Sequence, residues 1–152
     1  MRSSRQHIDA LQVIWGKVFS FATQKSKDVP RLSLFVGCDV ITQERHSSKR
    51  AFCHVGHYSG KVCTVLDLVT VPVNYIVGIY LHEIGHCVSS NVWGSLSEKD
   101  ADLAVLKFLG VNLQYKSNLT LEWVPDSVVR EVLDVPVKIA RRKTLRTTYR
   151  HS

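Results

Sequence analysis

No apolar run in this chain of 152 residues is as long as a membrane span. The longest, Val71 to Leu81, contains Pro72 and Asn74 and leads directly into His82 and Glu83. The pattern of a secretory leader is also missing. Arg2 and Arg5 come early, but Asp9, Gln12 and Lys17 interrupt what would be its apolar stretch. The expectation is a cytoplasmic protein with no membrane contact. The four cysteines, Cys38, Cys53, Cys63 and Cys87, form no CxxC pair, so reduced thiols are expected. Internal repeats and low-complexity segments are absent as well. With 45% apolar residues, the chain has enough hydrophobic material to exclude disorder. Its length suits one domain with one core.

Acidic residues are missing from one region in particular. Residues 138–152 carry Lys138, Arg141, Arg142, Lys143, Arg146 and Arg150 and no Asp or Glu. The net charge of +7 is therefore concentrated there, and the body, residues 1–137, is close to neutral. The organisation read from this is one domain over 1–137 followed by a basic C-terminal tail. Such a tail can bind nucleic acid or an acidic partner, or simply keep the protein soluble. No aromatic platform or groove-reading motif accompanies it.

The hydrophobic pattern predicts an α+β fold. Ile8, Leu11, Trp15, Val18, Phe19 and Ala22 share one face of a helix over 4–23. Ser3 and Gln6 have the spacing of a capping box. Strands are expected at Arg31–Val36, Ala51–Val55 and Lys61–Val69, the last two forming a hairpin around residues 56–60. A polar loop, TQERHSSKR, precedes them at 42–50. The next helix starts near Pro72–Asn74 and runs to about Asn91. It is apolar on nearly every side up to Leu81, so it should lie in the centre of the domain. After a turn at Trp93–Ser95, Ser97 caps a further helix that ends at Gly110. Val105, Leu106 and Leu109 are expected to face the core. Short strands are expected near 112–115 and 120–124, and a last helix from Pro125-Asp126 to Leu133.

The central helix carries His82-Glu-Ile-Gly-His86. Histidines four apart share a helix face and can reach one ion together. Zinc favours such ligands, and catalytic zinc sites keep a position open for water. Glu83 is rotated away from the pair. It suits a general base acting on a metal-activated water better than a ligand. A chance HExxH in a chain of this composition has odds of about 1%. A third ligand is expected from the following helix, where Glu98 and Asp102 also share a face. Glu98 is the favoured ligand, with Asp102 holding the outer nitrogen of a histidine. A shift of the turn by a few residues would exchange the two, because only 11 residues separate His86 from Glu98.

These residues resemble the gluzincin metallopeptidases. Their pattern is HExxH followed by a second helix with E-x-x-(A/S)-(D/N), matched here by Glu98-Lys-Asp-Ala-Asp102. The form HEIGH and the ending Leu103 to Gly110 are similar to small minimal-core members, the ImmA/IrrE-like and HtpX-like peptidases. The resemblance covers about residues 72–110. It implies a zincin-like core and a zinc endopeptidase with Glu83 as base and a peptide or protein as substrate. It also implies a mixed, mostly antiparallel sheet whose edge strand, by position Lys61–Val69, receives an extended substrate. Such enzymes often steady the oxyanion with a Tyr or His; Tyr115, Tyr80, His54 and His57 are all candidates. Two other readings stand beside it. One is a metallopeptidase-like binding protein that no longer cuts. The other is a nucleic-acid-associated, SprT-like protease recruited by residues 138–152. Cys53, His54, His57 and Cys63 offer a lesser alternative metal site across the hairpin. Cys87 reads as a core thiol.

Overall fold

A computed structural model describes residues 4–36, 51–54, 60–116 and 121–135. The fold is α+β, with four helices and two small sheets among the described residues. Helix α1 spans Ser4–Lys25 and follows the expected apolar face. Leu11, Trp15, Val18 and Ala22 are buried, with Ile8 and Phe19 packed beside them. Side chains of this kind each contribute about 1.5–3 kcal/mol when fully withdrawn from water. Strands β1 (Ser33–Val36), β2 (Ala51–His54) and β3 (Lys61–Thr64) form the larger sheet, in the order β1-β3-β2. The capping residue Ser3, the loop at 42–50 and the basic segment 138–152 lie outside the described residues.

Two features of this sheet correct the sequence reading. First, β3 ends at Thr64 instead of Val69. The chain then tightens into a 3-10 turn over Leu66–Thr70, closed by Leu68 N–H to Val65 O and Val71 N–H to Leu68 O. The apolar, β-branched run after Thr64 suits a strand locally, but these residues carry the chain around to Pro72. Second, β3 is the middle strand. It pairs with β1 in parallel (Ser33 opposite Lys61, Val36 opposite Thr64) and with β2 antiparallel. The larger sheet is therefore evenly mixed rather than mostly antiparallel, and its central strand cannot receive an added strand. Val62, Cys63 and Thr64 are consecutively buried, as befits a strand covered on both faces.

Helix α2 (Val73–Trp93) is the axis of the domain, and every residue from Ile76 to Ser89 is buried. Tyr80 meets Trp15 of α1 edge-on, with ring centroids 5.4 Å apart. The helix stops at Gly94, whose φ of 64° lies in the left-handed region. Helix α3 (Glu98–Ala104) continues as a π-helical turn over Val105–Leu109 and ends at Gly110. Val105 and Leu109 face the core as expected. Leu106 does not: it is 48% exposed, because the buried stripe runs through Ala101, Ala104, Val105 and Leu109, which leaves Leu106 on the outer side. Strands β4 (Gln114–Tyr115) and β5 (Glu122–Trp123) pair antiparallel, and α4 (Asp126–Leu133) closes the described chain.

Candidate metal centre

Two close backbone approaches to α2 build the site. At Gly85 a Cβ would lie 2.4 Å from Ala101 O, so only glycine lets α3 pack this near. Contacts run in opposite senses along the two helices, from Ser89 with Ser95, through Gly85 with Ala101, to His82 with Asp102. The helices are therefore antiparallel. At Gly78 a Cβ would lie 2.6 Å from Glu122 O, which brings β5 against the same face of α2. Asn74 pins that approach. Its side-chain amide donates to Val124 O at 2.9 Å and to Asp126 Oδ1 at 2.8 Å. Gly78, His82 and Gly85 thus lie along one stripe of the helix, with the histidine between the two contacts.

The turn into α3 is braced by serines. Ser89 Oγ donates to Ser95 O at 3.0 Å. Ser95 Oγ donates to Asp100 Oδ2 at 2.6 Å. Ser97 Oγ accepts from Asp100 N–H at 3.0 Å, which is the expected N-cap. Glu98 is thereby fixed as the first residue of α3. Glu98 and Asp102 both come to His82, at different nitrogens of its ring.

Glu98 Oε1 lies 2.8 Å from His82 Nε2, and its Oε2 lies 3.2 Å from His86 Nε2. The two rings stand nearly perpendicular, with centroids 4.6 Å apart. His82 Nδ1–H donates to Asp102 Oδ1 at 2.7 Å. The other oxygen of Asp102 accepts from the Tyr115 hydroxyl at 2.6 Å. Glu122 Oε2 lies 3.6 Å from His82 Nδ1 and 3.5 Å from the Tyr115 oxygen. The histidines and Glu83 are buried, whereas the Glu98 side chain is 71% exposed and opens the site to solvent.

Electrostatics follow from this geometry. Burial pulls His82 down, but the Asp102 hydrogen bond and the charges of Glu122 and Glu83 outweigh it, and its pKa stands at about 9. Burial holds His86 below its ordinary value, helped by the positive charge of His82. Partial burial pushes Glu98 up, and the charges of His86 and His82 more than reverse that. Asp102 is likewise driven up by burial and brought below its usual value by hydrogen bonds from His82 and Tyr115. Tyr115 is raised by burial and by its bond to Asp102. Glu122 is raised by burial, against the pull of His82.

His82, His86 and Glu98 each offer one ligand atom, and the three atoms lie within 4.8 Å of one another. This two-nitrogen, one-carboxylate set fits a divalent cation, and it is the only such group among the described residues. The atoms of His82 and Glu98 that meet at 2.8 Å are the ones that would hold a cation. Of the oxyanion candidates, Tyr80 is fully buried against Trp15 and does not reach the site. Tyr115 reaches it at one remove, through Asp102 and, more distantly, Glu122. His57 and the side chains of His54 and Cys53 lie outside the described residues. Cys63 is buried in β3 and Cys87 in the core. Glu122 was not singled out by the sequence. Its only signal is a carboxylate on a short strand between Leu121 and Trp123, where an apolar neighbourhood asks for a partner. No helix of the described residues is long and apolar enough to cross a membrane. In comparisons with known protein families, curated proteins and solved structures, nothing matches this chain.

Proposed function

We propose that the chain is a zinc-dependent endopeptidase, with His82, His86 and Glu98 as metal ligands and Glu83 as general base. The observation that carries this reading is that His82 Nε2, His86 Nε2 and the Glu98 carboxylate, from two helices, lie within 4.8 Å of one another. When bound, zinc would supply a Lewis acid that polarises water and the scissile carbonyl.

The remaining work falls to the side chains. Asp102 holds His82 Nδ1 and so leaves Nε2 to face the metal position. Glu83 follows His82 on α2 and is near enough for its charge to raise that histidine. Its carboxylate takes the proton from the attacking water and passes it to the leaving amine. The free edges of the described sheet are β1 and β2, so an extended peptide would add to one of these rather than to β3.

Metal content and turnover test the proposal together. One zinc per chain is expected in the purified protein, with slow hydrolysis of an unfolded protein substrate. Glu83→Gln should keep the zinc and lose the hydrolysis, by the 10²–10⁴-fold typical of a removed general base. Hydrolysis retained in that variant would refute the mechanism. Bound zinc with no turnover on any peptide by the wild type would favour a metallopeptidase-like binding protein.

A further inference from the structure

We infer that Tyr115 is a positioning residue for the metal centre, acting on His82 through Asp102. The inference rests on the proposed metal site and names what holds its first histidine in place. Asp102 uses both carboxylate oxygens, Oδ1 for His82 Nδ1–H at 2.7 Å and Oδ2 for the Tyr115 hydroxyl at 2.6 Å. An aspartate held at one oxygen can still turn about its side-chain bonds. Held at both, it presents Oδ1 to the imidazole at one angle and thereby fixes the ring plane of His82.

Tyr115 is well placed for this and badly placed for contact with a substrate carbonyl. Its hydroxyl bonds to the carboxylate at the Nδ1 edge of the His82 ring, whereas Glu98 meets the Nε2 edge. The tyrosine therefore stands behind the histidine, on the side away from the metal position. Its anchor is separate from α3, because β4 pairs with β5, which packs on α2 at Gly78. The hairpin thus braces from the β4–β5 side a carboxylate that α3 delivers from the other. Glu122, at 3.5 Å, is a second acceptor for the same hydroxyl and keeps it directed inward.

Zinc affinity, measured by competition with a chromophoric chelator, tests this in four proteins: wild type, Tyr115→Phe, Asp102→Ala and the double variant. Tyr115 is half exposed and Phe keeps its ring, so the first variant should fold normally, checked by circular dichroism. Loss of an outer partner of a metal-bound histidine costs about 10–100-fold in affinity. Tyr115→Phe should lie near the low end, about 10-fold, and Asp102→Ala should cost more. In the Asp102→Ala background Tyr115→Phe should cost much less, because its short route to His82 is gone and only the 3.5 Å contact with Glu122 remains. The visible absorption of the cobalt-loaded protein should change in Tyr115→Phe, since the His82 ring is freed to tilt. Wild-type affinity and spectrum in Tyr115→Phe would overturn this inference and leave the metal site standing. Equal, additive losses in both backgrounds would also overturn it, since the tyrosine would then act by another route. No zinc uptake by the wild type would overturn it together with the proposed function.

Discussion

Gly85→Ala is the substitution that separates packing from propensity most cleanly. In an exposed helix this change stabilises, because Ala is better than Gly by about 0.8–1 kcal/mol. Here the sign should reverse. The added Cβ would sit 2.4 Å from Ala101 O and 2.7 Å from Val105 Cγ2. Keeping that carbon even 3.0 Å from the oxygen moves the helices apart by roughly 0.6 Å. The obstacle is backbone, so no side-chain rotation relieves it. Overpacking of this sort costs typically about 1–3 kcal/mol, and the upper part of that range applies where backbone must move. Against the propensity gain, the net expectation is destabilisation of about 1–2 kcal/mol.

The same displacement acts on the metal centre. Ala101 lies between Glu98 and Asp102, so moving α3 outward carries both carboxylates from the histidines. The 2.7 Å bond between His82 and Asp102 would stretch beyond good geometry. Urea unfolding of the metal-free chain should show a lower midpoint with an unchanged slope. Zinc affinity should fall at least as far as in an outer-shell variant, about 10-fold or more. A Gly85→Ala protein as stable as wild type and binding zinc equally well would refute the claim that this glycine sets the helix spacing.

Three further outcomes are expected. Glu98→Ala should abolish stoichiometric zinc binding, whereas Asp102→Ala should bind one zinc more weakly; elemental analysis after dialysis distinguishes them. In the metal-free chain the folded pKa of His82, about 9, exceeds its ordinary 6.5, so its contribution to stability is complete below about pH 6.5. That contribution should be lost as pH rises to 9, which denaturant melts of chelator-treated protein at a series of pH values will show. Because zinc must displace that proton, its affinity should keep rising with pH up to about 9, whereas a histidine of ordinary pKa would level off above 7.

What could be read in advance follows the range of the forces involved. HEIGH, the Ser97 cap and the Gly94 and Gly110 stops are local, and each falls where side-chain spacing and backbone preference place it. That Glu98 and Asp102 both reach His82 from the next helix was also legible, because the two share a face of a helix that Ser97 caps. The extent and rank of β3 were not. Its run to Val69 looks like strand from composition, but pairing with β1 and β2 decides which strand is central, and those partners are distant in sequence. The exposure of Leu106 follows from Ala101 facing Gly85, a contact between two helices that the pattern of one helix does not reveal. Glu122 and the true place of Tyr115 were hidden for a third reason. They reach His82 only because Gly78 admits β5, a contact between residues 44 apart.

The charge balance of the site gives its own argument for a cation. Even with His82 protonated, one positive charge faces the carboxylates of Glu83, Glu98 and Asp102 around the buried end of the cluster. The surplus is negative, and Glu122 registers it: burial, Asp102 and Glu98 all drive its carboxyl upward. Charges withdrawn from water are costly unless paired. A dication bound by His82 Nε2 and Glu98, which now touch at 2.8 Å, would reduce the imbalance once the two side chains part to admit it. A monovalent ion there would leave it unchanged. This imbalance supports the proposed divalent ion over a proton or an alkali ion, and two imidazole nitrogens suit the proposed zinc better than calcium or magnesium.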